Sequence, residues 1–159
     1  MSETPHHVLE EWFSRHGITE VECLVSDLTG ILKGKIMPAG KYLRGGHTRL
    51  PDSIFIQTVT GGYPDDDDIR FWNPAELDMQ LVPDPDSAYL VPWADDPTAQ
   101  IIHDCLYMNG EPVELSPRHV LKHILALYEA RGWQPIMAPE LEFYLVKTNT
   151  DSDYPLEPP

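Results

Sequence analysis

The chain has 159 residues, with 26 Asp and Glu against 11 Lys and Arg, so its formal net charge is −15. This acidic balance argues against a nucleic-acid partner and against an anionic membrane surface, because both are bound through Lys and Arg. A hydrophobic content of 42% is typical of a globular protein, and the lack of an apolar signal region or an apolar run of about 18 residues predicts a cytoplasmic protein with no membrane span.

The first third of the chain predicts a helix, a β-hairpin and two shorter segments. Apolar side chains at helical spacing, Pro5 at the first helical position and the closing Gly17 predict the helix. Period-two alternation on both sides of a turn predicts the hairpin. In chain order these segments are helix 3–16, strand 21–25, turn 27–30, strand 31–37, a helical turn at 39–44 and an extended segment at 53–59.

Residues 60–76 are the least regular part of the chain. The stretch 60–62 is glycine-rich, but no Gly-Lys-Ser/Thr follows it, so a Walker phosphate loop is not supported. The four acids of 65–68 lack the spacing of a calcium-binding loop. They predict a solvated loop instead.

From Leu77 the pattern becomes regular again and predicts three strands, a helix and two more strands. Ser116 is placed as the N-cap of the helix and Pro117 as its first residue, and Gly132 ends it. In chain order the segments are strands 78–82, 88–91 and 98–108, helix 117–131, and strands 134–137 and 140–146.

The two cysteines, Cys23 and Cys105, each lie in an apolar, strand-like stretch. They predict buried free thiols in a reducing compartment, because a disulfide would need the two residues on facing strands. His103 also lies within a predicted strand, which favours a structural or hydrogen-bonding role over metal ligation.

Residues 139–145 alternate in a way that places two carboxylates together. On a strand, Glu140 and Glu142 share one face, with their Cα atoms about 6.6 Å apart. The other face carries Leu141, Phe143 and Leu145. Paired carboxylates suit hard cations such as Mg²⁺ or Mn²⁺, although the alternation alone favours a strand with a solvated acidic face, because charged residues normally face water.

Five of these stretches, in this order and spacing, resemble the N-terminal portion of the glutamine synthetase family. They are VSDLTGILKGKIMP (25–38), DMQLVPDPDSAYLVPW (78–93), PTAQIIHD (97–104), SPRHVLKHILALYEARGW (116–133) and PELEFYL (139–145). The resemblance implies an α+β fold with three parts. These are an N-terminal helix (1–16), a β-grasp domain (17–112) with the hairpin 21–37 at the centre of its sheet, and the first helix and strands of a truncated catalytic domain (113–159).

The resemblance also implies a reaction, cofactors and partners. In this family ATP phosphorylates the γ-carboxylate of glutamate, and ammonia or an amine then attacks the γ-glutamyl phosphate. The expected substrates are therefore glutamate and ammonia or an amine, with ATP as co-substrate and Mg²⁺ or Mn²⁺ as cofactor. Neighbouring subunits of a ring-shaped homo-oligomer are the expected protein partners. Glu140 matches the family's ligand of the metal that serves the nucleotide, and Glu142 matches the ligand of the metal that serves glutamate and ammonia.

Two departures from the family qualify this reading. Residues 56–61 read IQTVTG where glutamine synthetases proper carry Asp-Gly-Ser-Ser, whose aspartate helps to bind ammonium. The GILKGK strand (30–35) is more similar to the γ-glutamyl-polyamine or putrescine synthetase branch, which favours an amine over ammonia. The family's other metal ligands, its ATP-binding glycines and its glutamate-binding arginines lie beyond residue 159, so the chain alone is expected to be inactive. The alternative is a non-catalytic β-grasp module that binds a partner.

Overall fold

The computed structural model describes residues 5–45, 48–64, 77–151 and 153–159, with side chains from residue 8 onward. The helices are α1 (Pro5–His16), α2 (Ala39–Leu43) and α3 (Pro117–Glu129). The strands are β1 (Glu20–Ser26), β2 (Leu32–Pro38), β3 (Thr48–Pro51), β4 (Asp78–Pro83), β5 (Tyr89–Leu90) and β6 (Thr98–Tyr107). Two short 3₁₀ helices span Asp52–Ile56 and Pro85–Ser87.

These six strands form one mixed sheet in the order β2-β1-β6-β4-β3, with β5 also paired to β6. The first half of β6 runs parallel to β1, from Glu20↔Thr98 to Leu24↔Ile102. Its second half runs antiparallel to β4. The hairpin was expected at the centre of the sheet, but β6 lies there, because β2 pairs only with β1 in the described part of the chain.

One face of the sheet carries the hydrophobic core. Every second side chain of β1 is buried, as the alternation predicted, and β6 shows the same pattern. Helices α1 and α2 cover one half of this face, and the 3₁₀ helix Asp52–Ile56 covers the other half. The largest fully buried side chains include Tyr42, Phe55, Leu9, Met79 and Ile101. The other face is only half-buried, and the first turn of α3 lies against it.

The buried His103 has the hydrogen-bonding role that its position predicted. Its Nδ1 lies 2.9 Å from the carbonyl oxygen of Ile101, which can only accept, so Nδ1 carries the proton. Its Nε2 lies 3.1 Å from the Tyr42 hydroxyl. Burial, reinforced by nearby Cys23, raises the pKa of Tyr42, so this hydroxyl stays protonated and donates to the imidazole.

Most of the predicted elements are confirmed, and three are not. The helices at 39–44 and 117–131, the hairpin, and the strands at 78–82, 88–91 and 98–108 all form, with shifts at their ends. The helix at 3–16 forms from Pro5 onward, and residues 3 and 4 lie outside the described residues. The predicted extended segment at 53–59 is wrong, because most of it is the buried 3₁₀ helix. The strands predicted at 134–137 and 140–146 do not form, and β3 was not predicted.

The two cysteines are confirmed as buried free thiols. Desolvation raises the pKa of Cys23 to about 11 and that of Cys105 to about 12, although hydrogen bonds from Thr48 and Ser116 act in the opposite direction. Because only the thiolate reacts, we expect iodoacetamide at pH 8 to modify both thiols at least a hundredfold more slowly than an exposed cysteine. Both should react at the ordinary rate in 6 M guanidinium. Mass spectrometry measures the extent of modification. Rapid modification of either thiol in the native protein would contradict this burial.

Candidate functional site

Glu140 and Glu142 lie in a stretch that forms neither helix nor strand, residues 133–150. Both glutamates are exposed. The apolar residues expected on a buried opposite face are exposed too: Leu141, Phe143 and Leu145 are 89%, 77% and 72% exposed. The reason is physical: no described strand lies beside this stretch, and a single strand can neither pair its backbone groups nor bury one face.

The two carboxylates do not make a metal site by themselves. Among the described residues no group of three or more His, Cys, Asp or Glu side chains is placed to hold a metal ion. Mg²⁺ demands six oxygen ligands in octahedral geometry. Two exposed glutamates supply a minority of these, so the residues of this chain fit the expected metal only as part of a larger ligand set.

The β1–β2 turn carries the first of two polar clusters that the structure does assemble. Asp27 is buried, and its Oδ1 accepts hydrogen bonds from the Thr29 backbone N–H (2.9 Å), the Thr29 hydroxyl (2.8 Å) and the Ile31 backbone N–H (2.9 Å). Its Oδ2 lies 3.1 Å from the ammonium of Lys33. One carboxylate therefore holds the turn closed and also anchors a cation from the returning strand.

Opposing effects act on the pKa of Asp27. Desolvation by burial would raise it, but the hydrogen bonds from Thr29, Ile31 and Lys33 together lower it below its usual value of 3.8. The folded protein therefore keeps this carboxyl ionised at neutral pH.

Lys33 extends this turn cluster to the stretch where the sequence departs from glutamine synthetases proper. Its ammonium donates to the Gln57 side-chain oxygen and to the carbonyl of Ile54, the latter at 3.4 Å. The Gln57 amide donates in turn to the Tyr63 hydroxyl at 3.3 Å. The side-chain oxygen of Gln57, a neutral amide within the stretch 56–61, is thus already engaged by a cation.

A second polar cluster joins α3 to the half-buried face of the sheet, and we call it the junction cluster. The Arg118 guanidinium donates through Nε to Asp104 Oδ1 at 2.9 Å and through Nη2 to Asp84 Oδ2. Lys122, one turn further along α3, donates to Asp104 Oδ2. Periodicity could not have revealed this cluster, because Arg118 lies 14 residues from Asp104 and 34 residues from Asp84 along the chain.

Beyond its first turn, α3 is exposed on all sides, including its apolar face. A cavity of about 310 Å³ opens at the junction and is lined by Ser26, Ile102, Pro117, Arg118 and Leu121. The exposed apolar side chains of the helix are Val120, Leu121, Ile124, Leu125, Leu127 and Tyr128.

Two further expectations concern the acidic loop and the membrane. Residues 65–68, expected to form a solvated acidic loop, lie outside the described residues. Within the ranges that the structure describes, none of the helices combines the length and the apolar character that crossing a membrane requires.

The chain matches known proteins along most of its length. Residues 114–159 match the family model of the glutamine synthetase catalytic domain. The chain is 29% identical over 147 residues to the glutamate–isopropylamine ligase of a Pseudomonas species, covering 91% of this chain and 32% of the relative. It is 31% identical over 156 residues to the γ-glutamylputrescine synthetase of Escherichia coli K12, covering 95% of this chain and 32% of the relative. It thus spans about a third of the length of these relatives.

Solved structures agree on the fold. Two structures of GmaS, one with ADP and one without ligand, superpose with TM-scores of 0.59 and 0.61 at 21% and 22% identity. They cover 82% and 77% of this chain, which in each case matches 26% of the GmaS chain. The likeness shows a mixed helix-and-sheet fold. These sequence matches support the glutamine synthetase family for this chain, with similarity to its γ-glutamylputrescine-synthetase-like branch.

Proposed function

We propose that this chain is the N-terminal portion of an ATP-dependent ligase that joins an amine to the γ-carboxylate of glutamate through γ-glutamyl phosphate. The observation that carries the proposal is the extent of similarity to two glutamate–amine ligases, which reaches 91% and 95% of this chain instead of stopping at a single motif. The stretch 56–61, which has no acid where glutamine synthetases proper carry Asp-Gly-Ser-Ser, supports an amine over ammonia as the second substrate.

In this proposal Glu140 and Glu142 are ligands of Mg²⁺ or Mn²⁺, with Glu140 serving the nucleotide metal and Glu142 the metal beside glutamate. Both lie within residues 114–159, which match the catalytic-domain family model. When bound, such metals neutralise phosphate charge during phosphoryl transfer. The remaining oxygen donors must come from outside these two side chains, so the 159-residue chain alone is proposed to be inactive.

The domain division is part of the same proposal. We assign residues 1–16 to an N-terminal helix, 17–112 to a β-grasp domain and 113–159 to the start of the catalytic domain. The parallel pairing of β1 with the central β6, beside the β1–β2 hairpin, supports the β-grasp assignment. A cytoplasmic location and a ring of like subunits complete the proposal.

A non-catalytic β-grasp module that binds a partner is the alternative. The exposed apolar face of α3 would suit such a partner. The catalytic-domain match over residues 114–159 favours the ligase, because a free-standing module has no use for the glutamate-bearing stretch.

The test is a protein in which this chain is followed by a complete catalytic domain, assayed for ATP-dependent γ-glutamyl amide formation with a panel of amines. Glu142→Gln should lower turnover and raise the Mg²⁺ concentration needed for half-maximal rate by at least about 10-fold, because losing even a residue that only hydrogen-bonds to a metal ligand costs roughly 10- to 100-fold. Glu140→Gln should instead raise the requirement for the metal–nucleotide complex.

Glu129→Gln is the matched control, because it makes the same charge change at an exposed position on α3. All three variants should keep the parent melting temperature, since exposed substitutions usually change stability by less than about 0.5 kcal/mol. Unchanged metal dependence in both Glu140→Gln and Glu142→Gln would reject the metal-ligand assignment. Absence of ATP-dependent amide formation with every amine and with ammonia would reject the ligase.

A further inference from the structure

Helix α3 is held to the sheet almost entirely by its first turn. Pro117, Arg118 and His119 are half-buried, whereas every later residue of the helix is exposed. The residue before the helix, Ser116, is buried, and its carbonyl accepts the Val120 N–H at 3.1 Å. Burial at Ser116 and the first turn therefore fixes where α3 starts but does little to fix the direction in which it leaves the sheet.

The junction cluster supplies the directional contact. Asp84 follows the end of β4, and Asp104 lies on β6, so the two carboxylates belong to neighbouring elements of the sheet. One guanidinium bridges them, and its planar fork of donors constrains its orientation as well as its distance. Lys122 adds a second tie to Asp104 from the next turn of the helix.

The charges of the junction cluster balance. Two carboxylates face one guanidinium and one ammonium, and all four side chains are at least partly shielded from solvent. In a chain with a formal charge of −15, removal of the guanidinium would leave two carboxylates with a single cation. The balance therefore depends on Arg118 more than on Lys122, whose side chain is 48% exposed.

A small change in direction at the first turn displaces the far end of the helix by several ångströms. The 13 residues of α3 extend for about 20 Å, so a rotation of about 10° moves its far end by about 3 Å. Metal and catalytic sites tolerate displacements of only about 0.5 Å. The stretch that carries Glu140 and Glu142 continues from this far end.

We propose that Arg118 is a positioning residue. It sets the direction in which α3 leaves the sheet, and through α3 it sets the position of the segment that carries Glu140 and Glu142. The role of α3 stands on the geometry of the junction cluster alone, and only the consequence for the two glutamates rests on the proposed function.

The test measures the direction of α3 in the 159-residue chain itself. Spin labels at Lys35→Cys on β2 and Glu129→Cys at the end of α3 report one distance across the junction, and the buried Cys23 and Cys105 stay unlabelled. We expect a narrow distance distribution in the parent. Arg118→Gln should broaden it at least twofold, and Arg118→Lys should give an intermediate width, because an ammonium keeps the charge but lacks the rigid planar fork of donors.

Arg131→Gln is the matched control. It removes the same charge from an exposed position just past the end of the same helix, where the Arg131 side chain donates to the Leu127 carbonyl and lies over the Trp133 ring. Its distance distribution should equal that of the parent. In 1 M NaCl, where the Debye length falls to about 3 Å, the parent should broaden towards Arg118→Gln.

Circular dichroism and melting curves separate positioning from stability. A purely structural role would lower the melting temperature of Arg118→Gln and leave the distance distribution of its folded fraction narrow, which would overturn the proposal. A parent distribution that is already broad, or equal broadening in Arg131→Gln, would overturn it as well. If Arg118→Gln fails to fold, the proposal is tested by the widths of the distance distributions of Arg118→Lys and of the parent in 1 M NaCl. Because no metal, nucleotide or substrate is present, the outcome is independent of whether the ligase assignment holds.

Discussion

Gly34→Ala is expected to lower the free energy of unfolding by at least about 3 kcal/mol or to prevent folding altogether. A Cβ at Gly34 would lie 1.9 Å from the backbone carbonyl oxygen of Cys23 and 2.9 Å from its carbonyl carbon. Gly34 pairs with Leu24 in the β1–β2 ladder, so the obstacle is the backbone of the neighbouring strand. No rotamer change can relieve this clash, and the two strands would have to separate. Urea unfolding followed by far-ultraviolet circular dichroism measures the loss.

Gly40→Ala, a glycine-to-alanine change at another position, is expected to have the opposite effect on stability. Gly40 lies in α2, and the nearest atom to its added Cβ is a terminal nitrogen of Arg44 at 3.8 Å. Alanine should therefore stabilise the protein by up to about 1 kcal/mol through its higher helix propensity. If Gly34→Ala unfolded at the same urea concentration as Gly40→Ala, the close approach of β1 and β2 at Gly34 would be wrong.

Asp27→Ala should lower the free energy of unfolding by about 3 kcal/mol. The substitution removes the acceptor for two backbone N–H groups and the Thr29 hydroxyl, each worth about 1 kcal/mol. It also leaves the ammonium of Lys33, whose side chain is 19% exposed, without its carboxylate. Asp27→Asn should cost less, because the amide oxygen can still accept from the turn and only the ion pair is lost. Equal costs for the two variants would show that the turn hydrogen bonds contribute nothing.

The same carboxylate predicts a pH dependence with a definite sign. The pKa of Asp27 is lower in the folded protein than its ordinary value of 3.8. A group of this kind contributes stability above its unfolded pKa, and that contribution is lost as the pH falls through the folded pKa. We therefore expect the stability difference between the parent and Asp27→Asn to be constant from pH 5 to pH 7 and to shrink below about pH 4. Parallel stability profiles down to pH 2 would contradict this.

The sequence pattern predicted two kinds of element correctly. One kind pairs with a segment that is adjacent in the sequence, and the other has one buried face and one exposed face. The hairpin formed because its alternation and its turn agree, and β6 formed because every second residue is buried. The segment 53–59 failed as a strand because Ile54, Phe55 and Ile56 are all buried in succession. A half-buried strand cannot do this, whereas a short 3₁₀ helix within the core can.

The polar contacts also fall into local ones, which the sequence can indicate, and contacts between residues far apart in the chain, which it cannot. The contacts of Asp27 to Thr29 and Ile31 are local, and the Asp-Leu-Thr-Gly turn contains the signal for them. Lys33 meets Gln57 across 24 residues and Arg118 meets Asp84 across 34, and no periodicity encodes such pairs. The alternation of 139–145 is present in the sequence, but alternation describes only one strand, and a sheet needs a second.

The position of β6 has a consequence for how the protein is made. β6 supplies the partner for β1 from 78 residues further along the chain, and it is also the partner of β4. During synthesis the hairpin and the β3–β4 pair can form early, but their inner edges face no strand until β6 has emerged. Closing so long a loop is slow, and unpaired edges recruit other chains in the meantime. Slow translation or chaperone binding before residue 107 should therefore affect how much of the chain reaches the folded state.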